Sequence, residues 1–365
     1  MKKFAFGLAV ASVMVNAAAN AEDVTDKISI GGVLAGSAQC QSVSDAPGFG
    51  SACGGAVPFQ AGVSVRPSQF DEIFVKLGFA AGNGLNGSSP FAVGSWAADL
   101  EDDVKNINGR NRDYLLAAWY KHTFNRDNHS AVGVTFGIID STDYLDENAY
   151  ANDEYTQFMN PALTNGPNVF LPSYDLGAAV EWDRGQWSMR GVAMNIGKNE
   201  DGNNFSFVGL QAGYKVKNGF GEGNYRLVVA GANAEFLDPT ATSKEARAGG
   251  LISVDQQIGN RLGGFLRLGW QTDDAAVDYK AIYSGGVDIK GATWGRNDDN
   301  IGLGYAYLVG GNTGISNSQI FEAYYRWKFG EVFGLTADIQ YQHYDNNAGN
   351  DPHGTVFGLR ATAEF

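Results

Sequence analysis

From residue 27 to its end the chain alternates apolar and polar residues with a period of two, in stretches of about ten residues broken by turn residues. Successive side chains of a β-strand point to opposite faces. Each stretch therefore carries one apolar and one polar surface. The C-terminus shows it most clearly: Phe357, Leu359, Ala361, Ala363 and Phe365 fall in one phase, and Arg360, Thr362 and Glu364 in the other. Residues 319–329 repeat the pattern, with Phe321, Ala323, Tyr325, Trp327 and Phe329 against Glu322, Tyr324, Arg326 and Lys328. Sixteen such segments can be read, near 27–39, 56–66, 70–82, 113–124, 130–139, 174–183, 186–196, 204–216, 223–236, 246–257, 261–272, 279–289, 299–310, 318–329, 333–343 and 353–365.

A tilted barrel strand needs ~9–11 residues to cross the apolar core of a bilayer, and the segments have that length. Short connections such as 125–128 (NRDN) and 183–186 (DRGQ) alternate with long ones at 40–55, 83–112, 140–173, 197–203, 237–245 and 344–352. Outer-membrane barrels have short periplasmic turns and long extracellular loops. A soluble sandwich has no reason to collect its long loops at one end. The connection at 290–298 is long for the short-turn side. In lipid every backbone polar group must be paired within the protein, and only a closed sheet has no unpaired edge. The fold class expected is an all-β transmembrane antiparallel barrel of sixteen strands, with apolar residues outward and Arg, Glu, Gln, Asp and Gly lining a wet lumen. Trp270, Tyr305, Tyr307, Tyr325 and Trp327 fall in the outward phase, where aromatic belts form at the membrane interfaces.

The first residues read as an address for export. Lys2 and Lys3 precede an apolar run from Phe4 to Val15, and Ala19-Asn20-Ala21 supplies a small-residue cleavage site. The expected division is a signal peptide over 1–21 and a barrel over 22–365, placed in the bacterial outer membrane. The net charge of −14 excludes a nucleic-acid partner, which requires a basic face. Export permits a disulfide. Cys40 and Cys53 lie in one Gly/Ser-rich stretch, where a bond between them would staple the loop and add roughly 3 kcal/mol; two free thiols are the alternative.

Little in the chain suggests catalysis. Residues 82–87 (GNGLNG) match GxGxxG, but no βαβ unit surrounds them, so a Gly-rich loop is expected rather than a dinucleotide site. The four histidines occur with no nucleophile elbow or zinc-binding helix. His343 and His353 end and begin adjacent strands, where solvated loop positions outweigh a metal site. No enzyme activity, cofactor or metal is expected. One helix is expected inside a loop, at 97–107 (AADLEDDVKNI), whose acidic start suits a helix N-terminus.

The loop at 140–173 is too long and too aromatic for a solvated tether. Tyr144, Tyr150, Tyr155, Phe158 and Phe170 give it apolar mass to dock, and folded inward it constricts the lumen. Arg247, Arg267, Arg326 and Arg360 all lie on the polar phase of their strands, and in this reading they face the lumen opposite its carboxylates and amides. Aromatic faces beside Arg, Asn and Asp are a recurring way to hold sugars; packing for rigidity explains the loop equally well.

Residues 139–160 (IDSTDYLDENAYANDEYTQFMN), 300–312 (NIGLGYAYLVGGN), 321–342 (FEAYYRWKFGEVFGLTADIQYQ) and 358–365 (GLRATAEF) resemble the carbohydrate-selective porins of the OprB type. The chain departs from them in being short and in carrying the Cys40/Cys53 stretch. The resemblance implies a sixteen-stranded outer-membrane barrel narrowed by inward loops for sugar diffusion. By position it places Asp143, Asp146, Asn148, Asn152, Glu154 and Phe158 at the constriction, and Glu322, Tyr324, Arg326, Asp338 and Gln340 on the wall. Expected partners are sugars or other small polar solutes, outer-membrane lipid, and further copies of the chain, since porins are usually homotrimers. A general or ion-preferring porin, and a non-conducting barrel used for adhesion or assembly, are the alternative functions.

Overall fold

The computed structural model describes residues 22–127, 130–166 and 170–365; the expected signal peptide lies outside them, as does part of the 125–128 turn. A short strand β1 (Glu22–Thr25) leads into sixteen long ones: β2 (Ile28–Ser44), β3 (Ala52–Val65), β4 (Asp71–Ala81), β5 (Leu115–Asp127), β6 (Ser130–Ile139), β7 (Asp175–Arg184), β8 (Trp187–Ile196), β9 (Phe205–Asn218), β10 (Gly221–Leu237), β11 (Lys244–Ile258), β12 (Leu262–Gln271), β13 (Tyr279–Lys290), β14 (Asn300–Gly310), β15 (Ile315–Phe329), β16 (Phe333–Asn346) and β17 (His353–Glu364). Every neighbouring pair is antiparallel, and β17 pairs back onto β2 through Phe357 opposite Cys40 and Arg360 opposite Ser37. Gly32 and Phe365 exchange backbone hydrogen bonds of 2.7 and 3.1 Å, which ties the last residue into the seam. The sheet is thus a closed barrel, the only sheet form whose backbone is fully paired in lipid.

The outer surface is apolar in the phase the alternation predicts. Leu266, Phe321, Phe357 and Leu359 are exposed, while Arg267, Glu322 and Arg360 on the opposite phase are buried. Trp187 packs on Tyr214 and Tyr325 on Trp327 toward the short-turn end; Trp270 packs on Tyr283 toward the long-loop end. The long connection after β13 is compact. Gly291 N–H donates to the Asp299 carbonyl at 2.7 Å, and the Asp299 carboxylate accepts from Tyr325 Oη and the Lys328 N–H. Its length is taken up in closing this turn against the rim.

Two expectations require correction. The 40–55 loop is mostly strand: β2 runs to Ser44 and β3 begins at Ala52, so Cys40 and Cys53 are cross-strand neighbours, disulfide-bonded with Cα atoms 4.0 Å apart, and the bond braces a hairpin. The small residues there are compatible with strand because their outward side chains meet no packed core. No α-helix forms over 97–107; the segment is a series of turns leading to a 3-10 turn at Ile107–Gly109. The Asp103 carboxylate caps the Leu100 N–H, and Asn106 and Asn108 take left-handed φ of 48° and 51°, which ends any helix. Leu100, Val104 and Ile107 are instead buried inside the barrel. The α-helix among the described residues is one short turn, α1 (Pro161–Thr164), with Asn160 capping the Ala162 N–H and Pro161 at its first position.

Candidate functional site

The two longest loops fold into the barrel. The 83–112 loop crosses above β2 and β16: Gln39 and Gln340 donate to the Ser95 carbonyl at 3.1 and 2.8 Å, and the Val93 N–H donates to Tyr344 Oη. Gly82, Gly84 and Gly87 of the GNGLNG stretch have φ of 83°, 57° and 76°, a backbone that favours glycine. They are turn residues, which accounts for the motif without a ligand.

The loop between β6 and β7 is pinned to the opposite wall by its backbone. A segment without ladder partners must satisfy its N–H and C=O groups elsewhere, and wall side chains do so here. Arg267 donates through Nε to both oxygens of Asp146, at 3.0 and 2.8 Å, and through its terminal nitrogens to the carbonyls of Leu163 and Ala151. Arg360 donates to the carbonyls of Glu154 and Gln157 at 2.7 and 2.8 Å. Glu322 accepts from the N–H groups of Met159 and Asn160, and Gln340 accepts from Asn160 Nδ2. Phe158 fills the space between, against Phe265 and Tyr324. Asp146 sits at a left-handed φ of 61°; Arg267, the Gly166 N–H on its carboxylate and its own N–H on Gln211 Oε1 hold it there.

This geometry sorts the residues named from the sequence. Asp146, Asn148, Phe158, Arg267, Glu322, Tyr324, Asp338, Gln340 and Arg360 are buried. The wall residues among them point inward beneath the loop and the loop residues face the wall, so that together they anchor the loop. Arg247 stands near the outer mouth, its guanidinium 4.5 Å from the Phe170 ring and 5.2 Å from that of Phe236, with Gln271 accepting at 2.8 Å. Arg326 is at the periplasmic rim beside Glu364, away from the loop. Asp143, Asn152 and Glu154 retain partial exposure on the loop's free side.

The wall facing that free side was missed. It is built from the inward phase of β4, β5, β7 and β8: Lys76, Lys121 paired with Glu181, and Arg190 paired with Asp183 at 3.1 Å. The same alternation that selects Arg267 selects these positions. Lys76 lies within electrostatic reach of Asp99, Asp140, Asp143 and Glu154 and 5.7 Å from the Tyr174 ring; Tyr174 Oη donates to Asp99 at 2.7 Å. Burial raises all four carboxyls. Asp143 is pushed up to about 8, with Asp140 adding to the effect of burial, and Glu154 to about 8, with Asp153 and Asp99 adding to it. Asp99 rises to about 6. Glu147, next along the loop, rises to about 7 against the opposing pull of Arg190 and Arg226. At neutral pH the passage thus presents carboxylic acids able to donate as well as carboxylates able only to accept.

A closed antiparallel barrel with a lipid-facing apolar band and a lumen narrowed by an inserted loop is an outer-membrane channel of the porin class. Residues 78–365 match the carbohydrate-selective porin, OprB family, and the chain belongs to that family. An uncharacterized protein of Aquifex aeolicus (strain VF5) is 29% identical over 272 residues, spanning 74% of this chain and 77% of that one. Two solved structures have the same fold. The high-pH structure of Pseudomonas putida OprB has a TM-score of 0.70 at 15% identity, covering 93% of this chain and 94% of that one. The outer membrane channel DcaP of Acinetobacter baumannii has a TM-score of 0.55 at 12% identity, covering 93% and 97%. The protein is an outer-membrane porin for small solutes.

Proposed function

We propose that this porin passes small carbohydrates by diffusion, and that the loop between β6 and β7 sets the width of its path. One observation carries the reading: the loop is fastened by buried wall groups on one side and leaves Asp143, Asn152 and Glu154 partly exposed on the other. A path of mixed acids, amides and paired cations satisfies hydroxyls in both directions and holds no solute tightly enough to trap it, as conduction requires. The outer face meets lipid, further copies of the chain form a homo-oligomer, and export proceeds with removal of residues 1–21. A cation-preferring porin is the second reading, favoured by four carboxyls around Lys76.

Single-channel recording in a planar bilayer with a series of sugars and salts decides between them. Block of small channels by sugars supports the first reading. Indifference to every sugar with a cation-shifted reversal potential supports the second. Absence of conductance sinks both in favour of a structural barrel.

A further inference from the structure

Beneath the constriction loop two wall carboxyls meet. Glu322 on β15 and Asp338 on β16 are 0% and 5% exposed, and their carboxyl groups lie within hydrogen-bonding reach of each other. The strand register brings them together: Glu322 stands opposite Gln340 and Asp338 opposite Tyr324, so the two are diagonal neighbours on one inward face. We propose that Asp338 positions the loop between β6 and β7 through one proton that it shares with Glu322, whatever solute the channel passes.

The hydrogen bonds around the pair leave a place for that proton. Glu322 accepts the N–H groups of Met159 and Asn160, one on each oxygen. Gln340 donates to one Asp338 oxygen at 3.1 Å, and the other oxygen has no donor among the described residues. Arg360, on β17, is the cation facing both, but its terminal nitrogens are spent on the Glu154 and Gln157 carbonyls and on Thr336. Asp153 of the loop also faces Arg360, which makes three carboxyls to one guanidinium. Tyr324 of β15 stands beside Arg360 and Glu322, with Asp288 of β13 beyond it. Two carboxyls in contact out of water do not both ionise; they hold one proton between them. The acid form supplies the donor that a carboxylate lacks.

Loss of that proton leaves two adjacent buried charges. The ladder fixes β15 and β16, so relief comes from the loop: water enters beneath Met159 and Asn160, and they leave Glu322. The docked loop thus binds one more proton than the released loop, and docking weakens as pH rises.

Single-channel recording in about 1 M KCl tests this, because a Debye length of ~3 Å screens charges along the path while the width set by the loop still shows. The quantity read is the ratio of time spent in wide and narrow conductance levels. In the wild type it is expected to rise with pH, by about tenfold per pH unit at its steepest, the slope of one linked proton. Asp338→Asn, whose amide donates to Glu322 at every pH, should hold the narrow level throughout. A flat wild-type ratio overturns the proposal, and so does an Asp338→Asn channel that keeps the wild-type slope. Should Asp338→Asn fail to fold, Glu322→Gln takes its place: its amide donates to Asp338, and its ratio should start higher, with one loop N–H less well held, yet stay flat in pH. A wild-type slope in that variant assigns the proton to another group and overturns the pair.

Discussion

Arg267 and Asp146 stand 121 positions apart in the chain and 2.8 Å apart in space, and neither side chain reaches water. Breaking a buried pair by removing one partner costs ~3–5 kcal/mol because the other charge is left uncompensated. Neither side chain takes part in the strand ladder, so the loss falls on loop docking. Asp146→Ala is expected to leave the barrel folded, with unchanged heat-dependent electrophoretic mobility, and to raise and destabilise single-channel conductance as the loop leaves the wall. The double variant Arg267→Met/Asp146→Leu buries no charge and should be closer to wild type than Asp146→Ala. A double variant worse than the sum of the singles would mean that the pair is not what holds the loop.

The passage should become more cation-selective as pH rises. Asp143, Glu147 and Glu154 release their protons near pH 8, 7 and 8 because burial, and for Asp143 and Glu154 neighbouring carboxyls, disfavour the charged form. Reversal potentials in a salt gradient are expected to shift toward cation preference between about pH 6 and 9, with Asp143→Asn and Glu147→Gln flattening the curve. The sign for stability is the opposite of that for a salt-bridged acid. Here the folded chain binds more protons than the unfolded one between about pH 4 and 8, so these groups favour folding at the acid end and their contribution falls as pH rises. A selectivity curve flat across this window contradicts the placement of these groups in the ion path.

Alternation made the barrel legible, because a closed lipid-facing sheet imposes the same period on every strand. All sixteen segments correspond to strands, and what went astray were ends and loops. Cys40 appeared to sit in a loop since Gly and Ser weaken strand propensity, yet the hairpin needs only 45–51. The helix read at 97–107 fails because Asp103 accepts from the Leu100 N–H and because Asn106 and Asn108 take left-handed φ, while α1 was hidden in four residues. Phase finds that Arg267, Arg360 and Glu322 point inward. It cannot tell that a loop from more than a hundred positions away lies over them, whereas Lys76 and Lys121, in the same phase, stay partly exposed.

The Cys40–Cys53 bond faces outward beside the 45–51 hairpin, with both residues exposed. Its loss should cost ~3 kcal/mol by the loop-closure relation, expressed as fraying of that hairpin. Cys40→Ser/Cys53→Ser is expected to be cut faster by protease within 45–51 and to conduct as wild type. An altered conductance would show that the hairpin acts on the lumen through Gln41, which donates to the Gly50 and Ser88 carbonyls.

Lys76 offers the sharpest discrimination, since its removal acts in two opposing ways. Lys76→Met deletes one positive charge from the passage, which alone favours cations at every pH. It also removes the cation that favours ionisation of Asp99, Asp140, Asp143 and Glu154, so each holds its proton to higher pH. Near pH 6 the two effects partly cancel, and the variant should differ little from wild type. Above the titration of all four, only the lost cation counts, and the variant should be the more cation-selective channel. Its selectivity curve is therefore displaced toward higher pH and ends higher. A uniform offset at all pH values would mean that Lys76 shares the lumen with these carboxyls but not their titration, and would assign the pH dependence to Glu147 beside Arg190 and Arg226.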